Sequence, residues 1–236
     1  MHQLVDYQLQ DGIATLTMDD GKANVMNVAM LAAIAGALDQ AEADGAVVLL
    51  CGRPGLFSGG FDLAVFKSDL AETQRMLVAG ARLAERLLGF PRPVVVACTG
   101  HAIAMGAFVL LSADLRVGVD SGARLQLNEV QIGLTLPHFA IECCRQRLSP
   151  AHQVQAALNA RSYDPQSALA AGFLDEVASV SALAGVARSR AEQLRGLNAA
   201  AFTATKARMR RPVLEAMRQA IDNDIQDWSA RFLDRP

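Results

Sequence analysis

Aromatic side chains are scarce in this chain: nine Phe, two Tyr and one Trp make up 5% of its 236 residues. The core must therefore be built from small and aliphatic side chains, which fits an apolar share of 52%. A chain this apolar buries enough surface to offset its ordering entropy, so disorder is excluded. Neither sign of charge dominates, since 22 Lys and Arg stand against 24 Asp and Glu, for a formal net charge of -2. Nucleic acid as the main partner normally requires a basic surface and is excluded on that ground. The cysteines, Cys51, Cys98, Cys143 and Cys144, form no CxxC pair, and adjacent Cys143 and Cys144 are poorly spaced for a metal. They read as buried, reduced thiols, with no metal site expected and a cytoplasmic compartment as the default.

Residues 1–11 lack the basic-then-apolar order of a signal peptide. Residues 94–113 are long enough and apolar enough to suggest a membrane span, but Thr99, Gly100 and His101 interrupt them and Pro91 and Pro93 precede them. A buried strand, a tight turn and a buried helix explain the stretch better, and no membrane partner is expected. Low-complexity linkers and internal repeats are also missing.

Local signals are plentiful. Val5, Tyr7 and Leu9 alternate with polar residues, then Asp11-Gly12 separates them from a second strand-like run at 13–18, the pattern of a hairpin with a type I′ turn. Asn27 is placed to cap a helix carrying Leu31, Ile34 and Leu38. Residues 46–51 and 94–98 read as buried strands. Asp69 with Glu72 predicts a capping box opening a helix that stops at Gly89, before Phe90-Pro91-Arg92-Pro93. A helix from about Gly106, a strand over 115–119 and a short one over 124–127 follow. Strands separated by helices imply an α/β chain with buried, largely parallel sheets. From Ser149-Pro150 onward the pattern is helical throughout, with Ser149 and Asp164 as N-caps, each before a proline at the first helical position. The expected layout is an α/β body over 1–195 and a helical C-terminal region over 196–236.

Three segments could carry chemistry. Leu56-Phe57-Ser58-Gly59-Gly60-Phe61-Asp62-Leu63 has paired glycines that let the backbone approach a ligand. Thr99-Gly100-His101-Ala102-Ile103-Ala104-Met105-Gly106-Ala107 precedes a helix whose first N–H groups are free to meet a negative charge. Donors from two such loops would make an oxyanion hole. In Leu127-Asn128-Glu129-Val130-Gln131-Ile132-Gly133, Glu129 lies among apolar residues, where burial would raise its pKa and suit it to proton transfer. Ser58 lacks the G-x-S-x-G surroundings of a hydrolase nucleophile. His101 reads as a core histidine, while His138 is balanced between lining the pocket and a structural place.

These pieces, in this order, resemble the crotonase (enoyl-CoA hydratase/isomerase) superfamily. Lys22-Ala23-Asn24-Val25-Met26-Asn27 is similar to the family's P-x-x-x-N-A-x-N, residues 57–63 to F-S-x-G-x-D-L, and residues 170–177 to A-x-x-G-L-V-D-E-V. The resemblance implies a spiral of ββα units, a C-terminal helical region for assembly into a homotrimer or hexamer, and an acyl-CoA thioester as substrate. No separate cofactor is implied, because CoA is part of the substrate. The N–H groups of Phe61 and Met105 would be the oxyanion donors, and Glu129 the catalytic carboxylate. Lys22, Ala23, Ser58, Gly59, Gly60, Asp62, Gly106, Phe108, Asn128 and His138 would line the substrate. Lys22, Arg53 and Lys206 are candidates to meet CoA phosphates.

Hydratases of the family carry two glutamates, and Phe108 falls where the first would stand. One carboxylate suits moving a double bond from the 3 to the 2 position, and the L-N-E-x-x-x-G pattern around Glu129 resembles the 3,2-enoyl-CoA isomerases. Hydration, thioester hydrolysis, or CoA-thioester binding without turnover are the alternatives. Met105 stands where the family usually has Gly, and Phe61 where it has Ala or Leu.

Overall fold

The computed structural model describes residues 3–232. It opens with strands β1 (Val5–Gln10) and β2 (Ile13–Met18), paired antiparallel with Gln10 opposite Ile13. Asp11 and Gly12 between them both have positive φ, 51° and 70°, as a type I′ turn requires. The expected alternation of β1 is only partly realised, because Leu9 at its far end is 49% exposed. After the short strand β3 (Val25–Met26), the Asn27 side chain accepts from Met30 N at 2.9 Å and starts helix α1 (Val28–Ala43). Strand β4 (Val47–Cys51) leads into β5 (Gly55–Ser58) and β6 (Gly60–Phe61), then into a single helical turn, α2 (Val65–Ser68).

Helix α3 (Leu70–Gly89) begins where Asp69 accepts from Glu72 N at 2.8 Å. Only half of the expected capping box forms. Asp69 N already bonds to Val65 O, so the Glu72 carboxylate turns instead to Arg75. Strands β7 (Val94–Cys98) and β8 (Gly100–Ile103) and helix α4 (Met105–Ser112) account for the long apolar stretch. Its predicted tight turn is a strand, β8, which carries the chain into a second sheet. No helix among the described residues is long and apolar enough to cross a membrane.

Strands β9 (Leu115–Asp120) and β10 (Leu125–Gln126) precede a 3-10 turn at Val130–Ile132. Helices α5 (His138–Arg147), α6 (Pro150–Ala157) and α7 (Pro165–Ala171) follow; Asp164 caps the last through Ser167 N, whereas Ser149 sits at the cap position of α6 without a side-chain capping bond. The predicted uninterrupted helical region from Ser149 is broken by strand β11 (Glu176–Ser179), which pairs in parallel with β9. Helix α8 (Leu183–Arg195) and the 34-residue α9 (Ala199–Phe232) complete the described residues. The last four residues of the expected C-terminal region lie outside them.

The main sheet runs β1-β2-β4-β7-β9-β11, parallel throughout except for the β1–β2 hairpin. Alternate residues of its strands face two apolar layers. Val47, Leu49, Val95, Ala97 and Val117 pack with Leu183, Ala187 and Ala191 of α8. Val48, Leu50, Val94 and Val96 belong to the larger core with α1, α3 and α4. Burial on both faces explains why these strands read as unbroken apolar runs. The smaller sheets, β10-β8-β5 and β3-β6, are also parallel.

Helix α9 packs along α3 and α5. Lys206, Arg210, Met217, Ile221, Asp224 and Trp228 are buried along it at helical spacing. The polar start of this stripe is not the CoA contact expected of Lys206. Lys206 Nζ instead lies 2.6 Å from Asp114 Oδ2, in the body of the fold.

Candidate active site

The first two motif segments meet through backbone and buried side chains. Gly59 N donates to Ala23 O at 2.9 Å, and Asn24 Nδ2 donates to Met18 O and Phe57 O. Ser58 is fully buried: its hydroxyl donates to Asn24 O at 2.8 Å and accepts from Gly60 N at 3.1 Å. Its hydroxyl thus both donates and accepts within the loop, so Ser58 shapes the site from behind and lines neither cavity beside Glu129. Gly106 is equally enclosed, since a Cβ there would come 2.8 Å from Ser58 Cβ. Asp62 Oδ1 accepts from Ala64 N at 3.0 Å and closes the turn that follows. Lys22 is exposed beside half-buried Ala23.

Gly60 needs to be glycine twice over. Its φ is +91°, and a Cβ would sit 2.8 Å from Ile103 O and 2.9 Å from Ala104 Cβ. The first loop is therefore seated against the second. Ala104 itself has φ 48° and ψ -118°, a conformation costing a non-glycine residue about 1–3 kcal/mol. Ala104 N donates to Gln126 O at 2.9 Å, which helps hold the strained turn between β8 and α4. The next residue, Met105, opens α4, where backbone N–H groups have no partner within the helix. Phe61 and Met105, the expected donors, thus follow directly on two residues in contact.

Glu129 faces this junction. It lines a cavity of ≈ 40 Å³ with Gly59, Phe61, Ala104 and Asn128, and an adjoining one of ≈ 50 Å³ with Phe61, Leu77 and Trp228. Phe66 and Leu134 line both, and Glu129 is the only ionisable side chain among the lining residues of either. Glu129 is 6% exposed, and its Oε2 has no hydrogen-bond partner among the described residues. Burial pushes its carboxyl up to about 7, against a small opposing effect of its own backbone. Asn128 Oδ1 is also buried without a partner. Two orphaned oxygens on residues lining one apolar cavity are costly to fold unless water or a ligand supplies the missing partners. Among the described residues no cluster of three or more His, Cys, Asp or Glu could hold a metal.

The profile of the enoyl-CoA hydratase/isomerase family matches residues 8–233. The chain belongs to the enoyl-CoA hydratase/isomerase family. A solved family protein from Pseudomonas syringae superposes with a TM-score of 0.93 at 46% identity, covering 94% of this chain and 97% of that one. A Mycobacterium tuberculosis enoyl-CoA isomerase gives 0.91 at 42%, over 96% and 99% of the two chains. A probable enoyl-CoA hydratase from Bacillus subtilis is 31% identical over 132 residues, 54% of this chain, which spans half of that relative's length. The crotonase-like α/β fold is therefore the fold of this chain, whereas its relatives carry the names of both reactions.

Two further expected pocket residues of this family member line neither cavity. His138 starts α5, where its backbone N donates to Asp224 Oδ1 at 2.8 Å and its ring lies 3.3 Å from Asp227 Oδ2. It joins α5 to α9 and lines neither cavity. Phe108 is fully buried with its ring edge-on to Phe139, centroids 5.4 Å apart, and also lines neither cavity. It occupies core, between α4 and α5. His101 is half-buried, and its Nδ1 accepts from Arg124 N at 3.0 Å. Sequence reasoning missed Trp228, Phe66, Leu77 and Leu134. The signal for Trp228 was available, since it is the only tryptophan and sits on a largely polar helix.

Proposed function

We propose that this enzyme moves the double bond of a 3-enoyl-CoA to the 2-trans position, with Glu129 as the only proton carrier. Ionised Glu129 takes a proton from C2, and the electron pair spreads onto the thioester oxygen as an enolate. The N–H groups of Phe61 and Met105 would stabilise that oxygen, and the protonated carboxyl returns the proton at C4. Atoms balance without water or a cofactor. The carrying observation is the single buried carboxyl with an unpartnered oxygen in an otherwise unionisable cavity. A carboxyl held near neutral pH can both accept and release a proton, as the shuttle requires.

Hydration of a 2-enoyl-CoA is the second reading, favoured by relatives named hydratases and by Asn128 Oδ1, which could hold a water. Incubation with each substrate, followed by mass and absorbance, separates the two. Conjugation without mass gain supports isomerisation, whereas water gain on 2-enoyl-CoA as the faster reaction overturns it. We also propose a cytoplasmic protein, which its four free cysteines support, and a homotrimer or hexamer. An apolar groove of ≈ 560 Å³ between the 3-10 turn, α5 and α6, with Val130, Val154 and Leu158 exposed, supports self-association. Sedimentation of a 25.1 kDa species alone at micromolar concentration would count against assembly.

A further inference from the structure

Gly80 lies in the interior of α3, a helix of 20 residues, where glycine is the poorest helix former apart from proline. Its backbone does not need a glycine, because its φ is not positive. The reason lies in what it faces. A Cβ on Gly80 would fall 2.6 Å from both Cε1 and Cζ of Phe61 and 3.2 Å from Met105 Sδ. The two residues proposed to present the oxyanion donors thus rest their side chains on one bare patch of helix. Phe61 is 9% exposed and Met105 fully buried, so neither side chain has open solvent to move into.

We infer that Gly80 is a positioning residue: its missing side chain seats the Phe61 ring and the Met105 thioether, and so fixes the two backbone N–H groups relative to Glu129. The inference rests on the oxyanion reading of those N–H groups but not on which reaction follows. Because each donor is attached to a side chain wedged against α3, an added methyl group displaces the ring and tilts the loop that carries it. Displacement of about 1 Å at such a site can cost on the order of a hundredfold in rate.

The test is a double-mutant cycle with Gly80→Ala and Phe61→Leu. Gly80→Ala alone should lower kcat at least about tenfold while KM changes less than about threefold. In the Phe61→Leu background the same substitution should change kcat less than about twofold, since the shorter side chain leaves room for the methyl group. A second readout needs no turnover: the carbonyl stretch of bound butyryl-CoA, isotopically labelled at the thioester carbon, by infrared difference spectroscopy. Wild type should shift that stretch to lower frequency, Gly80→Ala should lose part of the shift, and the double variant should match Phe61→Leu. Wild-type kcat and carbonyl shift in Gly80→Ala overturn the inference. So does a loss of equal size in both backgrounds, or a loss that tracks a lowered Tm without any change in the bound carbonyl. If Gly80→Ala does not fold, the double variant decides, because it must fold and behave as Phe61→Leu does. Wild type that only hydrates sinks the isomerase reading and leaves this cycle to be read on the carbonyl and on hydration.

Discussion

Glu129 and Asp114 are both carboxylates withdrawn from solvent, and the fold treats them in opposite ways. Asp114 Oδ2 accepts from Val94 N at 2.9 Å and Lys206 Nζ at 2.6 Å, while Arg210 reaches Oδ1 at 3.5 Å. Nearby, Arg147 donates to the carbonyls of Ala113 and Asp114, and Arg116 pairs with Asp175 at 2.6 Å. Burial, then the neighbouring Arg116, pulls the Arg147 pKa down to about 10. These contacts fasten the first half of α9 to the end of α4 and the start of β9. Glu129, under the second half of α9, is given no partner for Oε2. A buried acid surrounded by donors is a staple, and one left alone in an apolar cavity is a candidate for proton transfer.

Removing the staple should have the larger effect. Asp114→Ala strands Lys206 and Arg210 without their anion, and breaking a buried pair in this way costs about 3–5 kcal/mol. Urea unfolding should show a midpoint lowered accordingly. An unchanged midpoint would mean that the cluster is solvated and the contrast with Glu129 unfounded.

Glu129→Gln should do the reverse. Turnover should fall at least about a hundredfold, because the amide cannot accept the proton, while acyl-CoA affinity changes little. Stability should rise at pH 8. A carboxyl raised to about 7 in the folded state binds its proton more tightly than in the unfolded chain. Its contribution is therefore complete below the unfolded pKa and is lost as pH climbs through 7. At pH 8 the ionised buried group costs wild type about 3 kcal/mol at most, by the conversion of a pKa difference to free energy. The Gln variant avoids this, so its Tm advantage should shrink toward pH 5. A wild-type Tm equal to or above that of the variant at pH 8 would count against a desolvated carboxylate.

The same group sets the pH profile. If Glu129 is the base, kcat/KM should rise with pH through about 7 and then level off, because the ionised form is the active one. A flat profile between pH 5.5 and 8.5 would remove Glu129 from that role. The smallest effect is expected at Asp224, whose carboxylate accepts from His138 N and Phe139 N and caps α5 from another helix. Pro137 at the cap position has no side-chain acceptor to offer. Asp224→Ala should cost about 1–2 kcal/mol, as loss of a helix cap does. A change below the error of the Tm measurement would show that water replaces the carboxylate.

What could be read from the sequence divides along the same line as these effects. The Asp11-Gly12 turn and the caps at Asn27, Asp69 and Asp164 depend on residues within a few positions of one another, and their signals are local. Glu129 was visible because its apolar neighbours are adjacent in the chain. Strand β11 was not, since Glu-Val-Ala-Ser is short and half polar and is a strand only because β9 offers it an edge. Lys206 and His138 were misplaced for a related reason. Each is positioned by a residue 86 or more positions away, Asp114 for one and Asp224 for the other. Phe108 read as a pocket residue because its place in the pattern marked a face of α4, whereas packing on Phe139 decided its depth.

Trp228 has a bearing on how the enzyme is made. It lines one of the two cavities beside Glu129 from about a hundred residues further along the chain. At ribosomal speeds of roughly 5–20 residues per second, Glu129 is translated about 5–20 s before that wall exists. Until α9 docks, the cavity of ≈ 50 Å³ beside Glu129 lacks its Trp228 wall, while the one of ≈ 40 Å³ takes all of its lining from earlier in the chain.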